Sequence, residues 1–220
     1  MKKIILNIAL VSLVFAGFTS CKEKNTDTAE VEETAQATEM ASDYIVNTGN
    51  SKIMWGGSKP TGSHHGTVMI SSGTLSVNND TIEAGNFVID MTSITDEDLE
   101  GDKKQNLENH LKGTVEGKEG DFFNVTKYPT ATFELTGVAD VEGKKMVRGN
   151  LTIKDKTNAV EFPATIKIDG NNMMLASEPF IIDRTKWDVN YGSKSVFDNL
   201  GDKFISDDME ITISLSATKS

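Results

Sequence analysis

A chain of 220 residues is long enough for one sizeable core and short for two. Its 33 acidic residues against 22 basic ones give a formal charge of −11, which leaves no basic footprint for a nucleic-acid backbone and excludes that class of partner. The single cysteine, Cys21, rules out an intrachain disulfide, and frequent glycine, aromatics at 7% and recurring Thr/Val/Ile runs suit many short strands joined by turns.

Residues 1–20 read as a lipoprotein signal peptide. Lys2 and Lys3 precede an apolar run over residues 4–18, of signal-peptide length and too short for a comfortable membrane span. The run ends in Phe18-Thr19-Ser20-Cys21, and small residues before a lone cysteine look like a bacterial lipobox, in which Cys21 is lipidated and becomes the new N-terminus. The competing reading is an ordinary secretory signal with an incidental cysteine. Lipidation would anchor the mature chain to a membrane rather than thread it through. Lys22, where an aspartate would retain the protein at the inner membrane, points to the outer membrane, facing periplasm or cell surface. Residues 21–43 are then the lipidated cysteine and an acidic linker. With seven carboxylates and no aromatic, this stretch cannot bury enough surface to offset its ordering entropy and is expected to be flexible, a short helix over residues 30–40 being the alternative.

From Tyr44 the pattern becomes β. Strands are predicted over residues 44–47, 52–57, 64–72, 82–91, 130–138, 147–154, 158–168, 172–182 and 209–217, with Asn78-Asn79-Asp80 as a hairpin turn. Met209, Ile211, Ile213 and Leu215 alternate with polar residues in the cleanest of them. Residues 96–111 break the alternation and place Leu99, Leu107 and Leu111 at helical spacing, so a helix is expected there. Residues 113–120 read as an exposed insertion, and a long irregular segment with Trp187, Tyr191 and Phe197 precedes the last strand. About eight antiparallel strands with one helical insertion suggest an all-β barrel closed on itself.

The stretch that organises the rest is residues 121–138. Pro129 removes a ladder donor, so a strand starts at or after it, and Ala131, Phe133 and Leu135 then face one way against Thr132, Glu134 and Thr136. Phe122, Phe123, Tyr128, Pro129, Thr130, Ala131, Thr132 and Phe133 resemble the signature of the YceI-like family. The likeness extends over residues 44–217 through Val88–Ile94, Asn109-His110-Leu111-Lys112, Arg148–Lys154 and Phe180–Trp187. Three departures stand out: the insertion at residues 113–120, Asp155 in place of a glycine, and Trp187-Asp188-Val189 for the usual Phe-Gly-Val. The resemblance implies a lipocalin-like barrel domain whose apolar lumen holds a long-chain isoprenoid or similar lipid.

Catalytic chemistry finds no constellation. No Gly-x-Ser-x-Gly elbow is present, and the lone cysteine is committed to acylation. His64 and His65 point to opposite faces of a strand, so with His110 as a third ligand they make an awkward metal site, and no metal is expected. Asp96-Glu97-Asp98 and Asp207-Asp208 follow no EF-hand spacing and read as solvated turns. Arg184 could receive a polar head by a charge-assisted fork or serve a loop carbonyl or Asp183.

The expectation is therefore a non-catalytic, exported and lipid-anchored barrel that stores or carries one isoprenoid or other amphiphilic lipid, with no cofactor beyond that lipid. Candidate lumen residues are Trp55, Val68, Ile70, Phe87, Ile89, Phe133, Leu135, Leu151, Ile153, Phe162, Ile166 and Ile213. Candidate rim or head-group contacts are His64, Phe122, Phe123, Arg184 and Trp187, and Cys21 is the lipidation site. The alternative is an envelope scaffold with a filled barrel and an apolar patch around Phe122, Phe123 and Trp187. Ligand identity, an open or packed lumen, and a homodimer or a monomer are left open by the sequence.

Overall fold

The computed structural model describes residues 31–220, so the signal segment, Cys21 and the first part of the acidic linker lie outside the described residues. Its strands are β1 (Ser42–Val46), β2 (Lys52–Lys59), β3 (Gly62–Asn78), β4 (Thr81–Asp96), β5 (Thr130–Val141), β6 (Lys144–Ile153), β7 (Lys156–Asp169), β8 (Asn172–Ser177), β9 (Phe180–Asp183) and β10 (Asp208–Lys219), and helix α1 (Gly101–Lys112) falls between β4 and β5. Every pairing is antiparallel, and β10 closes the sheet by pairing β2 on one side and β8 on the other.

Ten strands occupy eight positions in the ring. β1 and β2 lie in line in one position, each antiparallel to both β3 and β10, with a single 3-10 turn at Thr48–Asn50 between them. β8 and β9 share another position along β10. The one strand expected over residues 172–182 is thus two. Pro179 brings no N–H to the ladder, and Ser177–Phe180 carries one residue more than the opposing Ile211–Ile213, which is a bulge. Ser177 Oγ fills the gap by accepting the Ile213 N–H at 2.8 Å.

Turn chemistry sets the hairpins. Asn79 and Asp80 (φ 47° and 62°) join β3 to β4, and Glu142 and Gly143 (φ 50° and 82°) join β5 to β6, both in the left-handed region that two-residue hairpin turns require. The β3–β4 hairpin carries three register shifts, which bend two long strands around the barrel.

Helix α1 starts later than the expected residue 96, because β4 continues through Asp96. There the carboxylates serve the backbone: Asp96 Oδ1 accepts the Leu99 N–H at 2.7 Å and Asp98 Oδ1 the His65 N–H at 2.8 Å. Gly113 (φ 69°) ends the helix, its N–H reaching the carbonyls of Asn109 and His110.

One end of the barrel is shut. Leu75, Val77, Tyr44, Val46, Met173 and Ala217 are buried there, and the Tyr44 hydroxyl donates to the Gly170 carbonyl at 2.7 Å. The described part of the linker, residues 31–41, does not hang free as expected. Its Glu32 N–H donates to Asn150 Oδ1, its Ala35 N–H to the Leu135 carbonyl, and its Thr38 N–H and hydroxyl to Glu83. It therefore straps the wall where β5 runs on past its pairing with β4, which ends at Asn86 and Glu134. The backbone groups left open by that seam explain why so polar a segment is held.

Candidate functional site: an apolar lumen with a polar mouth

The barrel interior is not filled. A cavity of about 470 Å³ runs between the sheet walls, within the range of small-molecule sites. Leu75, Ile82, Leu175 and Leu215 form its floor. Phe87, Phe133, Phe162 and Phe180 run along one wall, neighbouring rings 4.6–6.0 Å apart, with Phe162 and Phe180 stacked. Trp55 stays in the wall because its Nε1–H donates to the Thr67 carbonyl at 3.3 Å and Gly66 leaves room for its ring.

Eleven of the twelve expected lumen residues line the cavity: Trp55, Val68, Ile70, Phe87, Ile89, Phe133, Leu135, Leu151, Ile153, Phe162 and Ile213. Ile166 does not. It packs on the core where β7 runs on past Ala164 toward the shut end, so its inward phase was right and its depth was wrong.

At the other end the tip of the β2–β3 hairpin, α1, the segment after it and the stretch leading to β10 surround the mouth. Leu107, His110 and Leu111 of α1 face the cavity, and His110, Phe122 and Tyr191 form an aromatic cluster with centroids 4.9–5.3 Å apart. His110 Nε2 is 2.7 Å from Asp121 Oδ2. Lys59, Lys203, Ser58 and Ser206 add polar atoms at this end alone. Sequence reasoning missed Tyr191 and Lys203 as mouth residues because a residue outside a strand has no alternation to reveal its direction, and Lys59 because β2 runs two residues past its expected end at residue 57.

Of the rim residues, His64, Phe122 and Phe123 lie at the cavity. His64 Nδ1 is 2.9 Å from Asp98 Oδ2. The His65 backbone N–H and the His64 side chain hold the Asp98 carboxyl down to about 2. Arg184 and Trp187 correct the expectation of head-group contacts. Arg184 is 2% exposed, and its guanidinium donates to the carbonyls of Val189, Ile205 and Ser206, with Asp207 Oδ1 at 3.6 Å. Burial lowers its pKa, partly offset by Asp207 and Asp183. Arg184 borders the cavity, but its guanidinium is committed to pinning the mouth segment. Trp187 is 1% exposed and donates its indole N–H to the Leu151 carbonyl at 2.9 Å, which fixes the same segment to β6 from outside the lumen. Phe122 and Phe123 are buried as well, so Phe122, Phe123 and Trp187 do not make the exposed patch expected of a scaffold.

Comparison with known proteins agrees with this architecture. The model of the YceI-like domain matches residues 44–217. The chain belongs to the YceI-like family. The fold matches BcnA of Burkholderia cenocepacia at a TM-score of 0.58 with 22% identity, over 79% of this chain and 99% of that one. It also matches a polyisoprenoid binding domain from Saccharophagus degradans implicated in plant cell wall breakdown, at 0.56 with 13% identity over 80% and 98%. A UPF0312 protein of Pseudomonas aeruginosa is 44% identical over 59 residues, 27% of this chain. A second UPF0312 protein, of Pseudomonas paraeruginosa, is 39% identical over 64 residues. These alignments span only about a third of each relative's length.

Proposed function

We propose that this YceI-like barrel binds one long-chain amphiphilic lipid, of isoprenoid type, without catalysis, while tethered to the cell envelope through Cys21. The observation that carries the reading is the cavity itself: one continuous apolar space, shut at one end and edged with polar groups only at the other. Such a space suits a tail inserted first with its head left at the mouth. A tail of roughly fifteen buried carbons gains about 12 kcal/mol at about 0.8 kcal/mol per methylene. Ordering the tail and losing translational freedom removes several kcal/mol of that, so the balance corresponds to tight but reversible binding. The isoprenoid class is supported by the described ligand of the Saccharophagus degradans domain. Branched tails also suit a lumen walled by phenylalanine and β-branched residues, whose irregular surface a methyl-studded chain can fill.

The test uses the full chain carrying Cys21→Ser, which is released into the soluble fraction if Cys21 is the anchor. The purified protein is extracted with organic solvent and the extract identified by mass spectrometry. About one prenyl lipid per chain is the expected result. A straight-chain fatty acid or amide would keep the lumen reading and overturn the isoprenoid class. Protein that emerges empty and takes up no prenyl lipid would overturn lipid binding altogether.

A further inference from the structure

We propose that the barrel mouth holds a binding site for one divalent transition-metal ion of the zinc type, formed by His64, Asp96 and Asp98. Gly66 pairs Asp96 at the end of the β3–β4 ladder, the Glu97 N–H donates to the His65 carbonyl at 2.9 Å just beyond it, and the chain then brings Asp98 beside His64. One ligand atom from each of the three side chains lies within 4.8 Å of the other two, and His64 Nδ1 is already 2.9 Å from Asp98 Oδ2. Tetrahedral metal coordination at about 2.1 Å places ligand atoms roughly 3.4 Å apart, so closure needs only small side-chain movements.

The decisive group is Asp96. It is 0% exposed, no hydrogen-bond donor among the described residues reaches its Oδ2, and its carboxyl lies against that of Asp98. Leaving a carboxylate oxygen dry and unpaired is costly, and a cation bridging it to Asp98 and His64 removes that cost. The outer shell is in place: the Leu99 N–H orients Asp96 through Oδ1, the His65 N–H orients Asp98, and Glu108 accepts the Asp96 N–H at 3.0 Å. One imidazole and two carboxylates are too few oxygens for calcium, and the imidazole favours zinc over magnesium. Three protein ligands leave a position for water or for a polar group at the mouth, and with the His64 proton on Nε2 its Nδ1 lone pair is free to bind. Any proton shared among the three donors leaves to solvent as the ion enters.

This site does not depend on the lipid reading, because metal and lipid are counted in separate experiments on separate samples of the same chain. The Cys21→Ser chain, which lacks the only thiol, is stripped with chelator and dialysed to equilibrium against Zn²⁺ alone, with bound metal counted by mass spectrometry. One equivalent is expected, with Asp96→Asn and His64→Gln each weakening affinity at least tenfold and Mg²⁺ or Ca²⁺ failing to compete. The His65 ring is 66% exposed and stands 3.6 Å from the other Asp98 oxygen. His65→Gln is expected to leave affinity within threefold. No stoichiometric zinc, binding indifferent to both Asp96→Asn and His64→Gln, or equal loss in His65→Gln would overturn the site. Should Asp96→Asn fail to fold, Asp98→Asn and His64→Gln at the solvent edge decide alone.

Discussion

Gly149→Ala tests whether the lumen wall is built as described. Gly149 faces Leu135 across the β5–β6 ladder, two positions from the Phe133–Leu151 pair. A Cβ added there would lie 2.2 Å from Phe133 Cζ, 2.6 Å from Phe133 Cε2 and 2.6 Å from the Glu134 carbonyl oxygen. Ordinary contact begins at about 3.4 Å, so the ring must withdraw by about 1.2 Å and the β5 backbone by about 0.8 Å. The ring cannot retreat along the wall, because Phe87 and Phe162 stand 6.0 Å away on either side, and so it moves into the cavity. Overpacking of this kind costs about 2 kcal/mol, which for a domain of this size lowers Tm by roughly 4–8 °C. Lipid recovered by solvent extraction should fall in parallel. Phe133→Leu in the same chain should restore most of the loss, giving a double variant more stable than the sum of its parts. Thermal unfolding of the four proteins measures this. A Gly149→Ala protein with unchanged Tm and lipid content would refute the placement of Phe133 over Gly149 and with it the register of the lumen wall.

Two further perturbations probe the elements around the cavity. Arg184→Met strips three carbonyls of a buried donor and should cost about 3 kcal/mol, with hydrogen exchange rising across residues 189–206 before global unfolding. Arg184→Lys should recover less than half of this, since the donors of a compact ammonium sit on one nitrogen and cannot span three carbonyls reached from three guanidinium nitrogens, and full recovery would refute the staple role. Glu83 tests the strap. Its bonds from the Thr38 N–H and hydroxyl, and from Asn78, hold its pKa below 4.5. A depressed carboxyl stabilises the fold fully above its unfolded pKa and loses that contribution as pH falls through the folded value. The Thr38 amide resonance should therefore titrate with a midpoint below that of an ordinary glutamate, and Glu83→Gln should abolish that titration. A Thr38 shift that ignores the substitution would detach the strap from Glu83.

What the sequence made legible follows from local physics. Alternation in residues 130–138 and 209–217 gave strand phase, and phase alone brought eleven residues to one cavity. Depth along the barrel is not encoded in phase, which is why Ile166 was placed in the lumen. Whether the interior is filled depends on the sum of side-chain volumes around a closed ring, and no single stretch carries that sum. Arg184 and Trp187 looked like rim contacts because both stand in a motif beside an irregular segment. The fold spends their polar atoms on carbonyls at residues 151, 189, 205 and 206, far enough along the chain to give no local signal. The acidic linker has the composition of a free segment, yet the open seam beside β5 offers Leu135 and Asn150 as partners. His64 and Asp98 lie 34 residues apart, and only the β3–β4 register makes them neighbours.

The departures from simple β alternation are not scattered. Helix α1, the segment with Phe122 and Phe123, and the stretch pinned by Arg184 all gather at the mouth, while the shut end is made of tight hairpins and plain core. A barrel that served only as scaffold would gain stability by filling its centre, since each buried void forfeits dispersion and transfer energy. This chain leaves about 470 Å³ unfilled and places His64, Arg184 and Tyr191 around the end that opens. Keeping such a space costs stability with nothing inside it. In the proposed reading, a lipid that enters at the mouth returns that energy on binding, and Asp96 Oδ2, buried and without a hydrogen-bond donor among the described residues, lies beside the same rim.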